Sequence, residues 1–150
     1  MAHILVVDAD ELAAEHAAQV MMDAGHACGW VSSSDEAWKV INRRRPDVLL
    51  LEDKLAGESG TTLLRKLRQS PKFYDLPVIM LTATLGFKEE QIAYYNGAQH
   101  YVRKPYSPAM LQFRVRQLLE TRRNYGRHSP IAEQLGVVEQ QSAPQPRRIV

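Results

Sequence analysis

The chain has 150 residues, 45% of them hydrophobic and 24% charged, with a formal charge of +2, enough for one buried core and a tail. Its apolar runs, such as Val48–Leu51, are far too short to cross a membrane. The lone Cys28 excludes an internal disulfide and fits a reducing compartment. Met1-Ala2-His3 leads straight into strand-like Ile4–Val7 without a secretory segment, so a cytoplasmic location is expected.

Taken in order, short apolar runs alternate with helical periodicities. Ile4–Val7 predicts a first strand that ends at Asp8. Ala13, Ala17, Val20, Met21 and Ala24 form one stripe of a helix from about Asp10 to Ala24, stopped by Gly25. His26–Val31 predicts a weak strand, interrupted by Gly29. Ser33 and Glu36 make a capping-box pattern for a helix with Ala37, Trp38 and Ile41 inward. Val48–Leu51 is the central strand, and Gly57 to Gly60 is a turn before a helix carrying Leu63, Leu64 and Leu67. Val78–Leu81 forms the fourth strand, Lys88–Asn96 a helix closed by Gly97, and His100–Arg103 the fifth strand. A last helix starts near Pro108 and is expected to end at about Arg123. From about residue 125 Ser, Gln, Pro and Gly dominate, so we expect a domain over 1–124 and a disordered tail over 125–150. Five strand–helix units in alternation predict an α/β fold, a parallel sheet covered on both faces.

Four motifs resemble the response-regulator receiver domain, over roughly residues 3–123. They are Ile4-Leu5-Val6-Val7-Asp8, the segment Pro46–Gly60, the segment Pro77–Ala83, and the segment Gly97–Tyr106 with its Lys104-Pro105. The resemblance implies a flavodoxin-like (βα)5 fold with strand order 2-1-3-4-5, and a site at the carboxyl ends of the strands. It also assigns roles. Asp8 is an acid of the metal pair, Glu52 stands at the phospho-acceptor position, Thr82 is the switch hydroxyl and Lys104 the phosphoryl partner. Tyr101 is the switch aromatic, and the Lys104–Pro105 bond is implied to be cis.

Two departures decide the functional reading. Receivers carry an aspartate at the acceptor position, which here is Glu52; the adjacent Asp53 lies one residue further along a strand and is expected to face away. Receivers also carry two adjacent acids after the first strand, whereas here Ala9 follows Asp8. Asp8, Glu52 and the Lys54 carbonyl remain as ligands, so Mg²⁺ binding is expected to be weak or absent, with no other cofactor. Self-phosphorylation is therefore expected to be badly impaired, and no enzymatic activity is expected. Glu52 would then pair with Lys104, either as a fixed structural pair or as a weak mimic of the phosphorylated state. Asp53 or Asp10 could serve instead, in which case the domain would be a working phospho-acceptor; Asp10 also reads as a helix cap.

Without phosphorylation, function rests on a surface. Ile92, Tyr95, Tyr101 and Tyr106 are expected to mark a protein-binding face on the fourth helix, fifth strand and fifth helix, for a signalling partner or a second copy. Arg114, Arg116, Arg122, Arg123 and Arg127 could touch nucleic acid, but no DNA-reading module follows, so a protein partner is the expectation.

Overall fold

The computed structural model describes residues 1–84 and 86–135. Five parallel strands, β1 (His3–Val7), β2 (Ala27–Val31), β3 (Val48–Leu51), β4 (Val78–Thr82) and β5 (His100–Arg103), pair in the order β2-β1-β3-β4-β5. Each is followed by a helix: α1 (Glu11–Asp23), α2 (Ser34–Arg43), α3 (Gly60–Arg68), α4 (Phe87–Tyr95) and α5 (Pro108–Leu135). This is the flavodoxin-like arrangement, with helices on both faces.

The two faces follow from side chains alternating along each strand. Leu5, Val7, Leu49, Leu51, Val78 and Met80 point to one side, against Ala37 and Ile41 of α2, Leu63, Leu64 and Leu67 of α3, and Ala93 of α4. Ile4, Val6, Val48, Leu50, Ile79, Leu81 and Val102 point to the other, against Ala14, Ala17, Val20 and Met21 of α1 and Leu111 and Val115 of α5. All four residues of β3 are fully buried, as a strand covered on both faces requires. Its registers, Leu49 beside Leu5 and Leu50 beside Ile79, bring the ends of β1, β3 and β4 together at one edge.

The helix starts are set by side-chain caps. Asp10 Oδ1 accepts from the Leu12 and Ala13 amides, at 3.1 and 3.3 Å, which begins α1. Ser33 caps α2 by accepting from the Glu36 amide, but Glu36 reaches the Ser32 amide and hydroxyl rather than Ser33, so the expected box closes one residue earlier. Trp38 is only half-buried, edge-on to Phe73 and covered by Lys66 Nζ 4.8 Å from its ring. Arg68 donates to the Gly97 carbonyl at 2.7 and 3.0 Å, fastening the end of α3 to the turn before β5.

α5 runs on to Leu135, past the end expected near Arg123. Gly126 lies within this helix, where a glycine costs only about 1 kcal/mol. The rest of the expected tail, 136–150, lies outside the described residues.

Candidate functional site

The carboxyl edge of the sheet gathers Asp8 after β1, Glu52 after β3, Thr82 at the end of β4 and Lys104 after β5. All but Lys104 are deeply buried: Asp8 is 4% exposed, Glu52 7% and Thr82 1%. Lys104 is the hub. Its Nζ donates to Asp8 Oδ2 at 2.6 Å and to Glu52 Oε1 at 2.9 Å. The remaining oxygens are taken by main chain. Asp8 Oδ1 accepts from the Asp10 amide at 2.9 Å, and Glu52 Oε2 accepts from the Asp53 and Lys54 amides at 2.7 and 3.0 Å. Four carboxylate oxygens are thus engaged by protein donors, while one ammonium faces two negative charges.

Burial by itself would lower the Lys104 pKa, but its hydrogen bonds to Asp8 and Glu52, together with their charges, outweigh it and hold the ammonium above its ordinary value. Asp53 turns the other way: its Oδ1 accepts from the Thr61 amide at 2.9 Å and the Thr61 hydroxyl at 2.6 Å, so it braces the first turn of α3. Lys54 has an exposed side chain. Gly60 is required here, because a Cβ would run into the Glu52 carbonyl oxygen and stand 2.9 Å from Asp53 Cα. The exposed Ala9 presents a methyl group beside Asp8. The Lys104–Pro105 peptide is cis.

Thr82 and Tyr101 meet through a residue that sequence reasoning passed over. Thr82 Oγ1 accepts from the Thr84 amide at 3.1 Å and lies 3.2 Å from the Thr84 hydroxyl, while Tyr101 donates its hydroxyl to the Thr84 carbonyl at 3.3 Å. The spacing Thr82-x-Thr84 is the signature of a hydroxyl-closed turn and was the available signal. Burial raises the Tyr101 pKa.

The aromatic surface is divided. Tyr95 is 91% exposed and Ile92 42%, with Phe87 at 74% on the same helix, and Tyr101 is half-buried against the α2–α4 side. Tyr106 does not join them. It packs into the α1–α5 side and lies 5.6 Å from the His16 ring, because the chain crosses to the other face of the sheet after β5.

A hydrogen-bonded acid–acid–lysine site at the switch edge of a 2-1-3-4-5 sheet defines a class, and the chain belongs to it: it is a member of the response regulator receiver domain family, matched over residues 4–116. It is 37% identical over 117 residues to the phosphate regulon transcriptional regulatory protein PhoB of Pseudomonas aeruginosa, covering 77% of this chain and 51% of that protein. It is 31% identical over 131 residues to the virulence transcriptional regulatory protein PhoP of Salmonella typhimurium, covering 87% and 57%. The chain therefore spans about half the length of these curated relatives. Among solved structures it resembles the receiver domain of NtrX from Brucella abortus, with a TM-score of 0.74, 28% identity and coverage of 79% and 98%. It also resembles the BeF3-activated N-terminal receiver domain of RstA from Klebsiella pneumoniae, with 0.73, 29%, and 78% and 97%. A receiver is a signalling domain. No described helix is long and apolar enough to cross a membrane.

Proposed function

We propose that this chain is a pseudo-receiver, a receiver domain that signals through protein contacts in a bacterial pathway and carries no aspartyl phosphate. The observation that carries this reading is the network around Lys104, in which every oxygen of its two carboxylate partners already accepts from an internal donor. A phosphoryl group arriving at Glu52 would have to displace Lys104 or the two loop amides. Asp53 is a poor substitute, since its oxygen is committed to Thr61. Asp10 is likewise engaged as the cap of α1.

Mg²⁺ fits this donor set poorly. The ion needs near-octahedral oxygen coordination. Asp8 and Glu52 offer oxygens that already accept protein hydrogen bonds, and Ala9 offers none. Among the described residues no group of three or more His, Cys, Asp or Glu is arranged to hold a metal.

Glu52 acts in this reading as a structural pair for Lys104 rather than as a phosphate mimic. Its contacts are all to Lys104 and to its own loop, while the Thr82 hydroxyl is closed onto Thr84. The partner face is α4 with the adjoining β5 edge: Phe87, Ile92 and Tyr95, with Tyr101 set behind them. Exposed aromatic and aliphatic side chains on one helix favour a protein partner over nucleic acid.

The test is intact mass after incubation with acetyl phosphate and Mg²⁺. The native chain should gain no phosphoryl adduct and Glu52→Asp little, whereas Glu52→Asp combined with Ala9→Asp should gain one. An adduct on the native chain sinks the reading.

A further inference from the structure

Charge is distributed unevenly along this chain. The first 38 residues hold seven Asp and Glu and no Lys or Arg, the first cation being Lys39. Of these seven, Asp35 and Glu36 are exposed in the first turn of α2, while Glu11, Glu15 and Asp23 are exposed on α1, interleaved with Leu12 at 78% and Met22 at 46%. The cations described on the same side of the sheet belong to α5, where Arg114 is half-buried and Arg116 lies 5.6 Å from the Phe113 ring.

The opposite side of the sheet holds the complement. Lys39, Arg43, Arg44, Lys66 and Lys72 are all exposed on α2, α3 and the loop after α3. They form one rim. Arg45 at the end of α2 donates to the Lys72 carbonyl at 2.6 Å and pairs with Asp75 at 3.0 Å, and Lys66 of α3 covers Trp38 of α2. Tyr74, 51% exposed, adds an aromatic edge. No ion pair joins the side chains of Lys39, Arg43, Arg44 or Lys72 among the described residues. Cations in the last turn of a helix complement its dipole, which accounts for Arg43 and Lys66. It does not account for Lys39, Arg44 and Lys72, nor for an acidic α1 with large apolar side chains in solvent.

We propose that α1 of one copy docks on the α2–α3 basic rim of the next, in a head-to-tail contact. Charge complementarity selects the occupant: an acidic helix with exposed Leu12 and Met22 meets a basic rim with exposed Tyr74, and both lie on this one chain. The two surfaces differ and sit on opposite faces of the sheet. The contact is therefore heterologous, and it propagates into rings or open chains instead of stopping at a two-fold dimer. It uses neither the Glu52 site nor the α4 face, so it stands or falls separately from the function proposed above.

Molar mass from light scattering tests it, in about 50 mM and about 500 mM NaCl, where screening lengths differ several-fold. The full chain should exceed the monomer mass at low salt and return to it at high salt. Arg43→Gln/Arg44→Gln/Lys72→Gln removes the rim, and Glu11→Gln/Glu15→Gln removes the acidic face. Each variant alone should be monomeric, with an unchanged circular dichroism spectrum. An equimolar mixture should give a one-to-one heterodimer and nothing larger, since each variant keeps one intact surface. A native chain that is monomeric at low salt, or assembly that survives both sets of substitutions, overturns the proposal. So does a monomeric native chain whose rim instead binds a single-stranded oligonucleotide of about 20 nucleotides in a salt-sensitive way, which would assign the rim to nucleic acid.

Discussion

Lys104 is the residue on which the site depends. One ammonium, with 19% of its side chain exposed, separates two carboxylates that are nearly sealed from water. Lys104→Met would leave Asp8 and Glu52 facing each other without a counter-charge. Removing one partner of a buried pair is far costlier than the pair's net worth, and partial exposure softens this, so we expect a loss of about 3 kcal/mol at neutral pH. Much of it should return on acidification, as one carboxyl takes up a proton. Urea denaturation of native and variant chains at neutral and acidic pH measures both effects; equal stability at neutral pH would mean that the network contributes nothing. In the native chain the Lys104 pKa is raised, so its contribution is complete at neutral pH and is lost only as pH rises through that elevated value. At this scale the sequence was legible for Asp8, Glu52, Thr82 and Lys104, because strand ends in such a sheet are forced to converge. It was not legible for Thr84, whose role depends on where the Tyr101 hydroxyl ends in space, nor for Tyr106, whose face is decided by the turn after β5.

Among the elements, the β3–α3 connection carries the tightest constraint. The Gly60 amide donates to the Asp53 carbonyl at 2.8 Å, which presses the start of α3 against the backbone of Glu52. Gly60→Ala should therefore cost about 2 kcal/mol, since the backbone that obstructs the new Cβ cannot rotate away as a side chain would. A shifted denaturation midpoint measures it, and an unchanged midpoint would show that the connection yields freely. The starts of α1 and α2 could be read directly from Asp10 and Ser33, because a cap acts within three residues, whereas the Ser59 cap of α3 emerged only in the structure. The end of α5 could not, because stopping a helix depends on what lies beside it as much as on the residues within it.

For the whole molecule, acid sensitivity should come from histidines at the amino ends of the strands. His3, His26 and His100 all have pKa values lowered from 6.5, chiefly by burial, with Arg44, the N-terminal amine and Arg114 respectively adding repulsion. His26 also accepts a hydrogen bond from the Ala2 amide at Nδ1, which only the neutral ring can do. Below pH 6.5 the unfolded chain binds protons that the folded chain refuses, so their contribution is complete above that pH and is lost as pH falls through it. Melting temperature should drop between pH 7.5 and pH 5.5. His100→Gln should reduce the drop; a flat profile in the native chain would show that these rings are fully solvated.

By itself the sequence determined the five strand–helix units and their two-sided core, because hydrophobic period and local caps are properties of neighbours along the chain, while the family was legible through the resemblance of four motifs. The sequence also singled out Glu52 and Ala9, the two residues on which the proposed pseudo-receiver reading rests. Only the tertiary structure decided how Glu52 is used, since its oxygens are satisfied by Lys104 from another strand and by amides whose direction is fixed once the loop closes on Gly60. The same holds for the acidic helix and basic rim on opposite faces: charges far apart in sequence become surfaces only when the sheet has set them back to back.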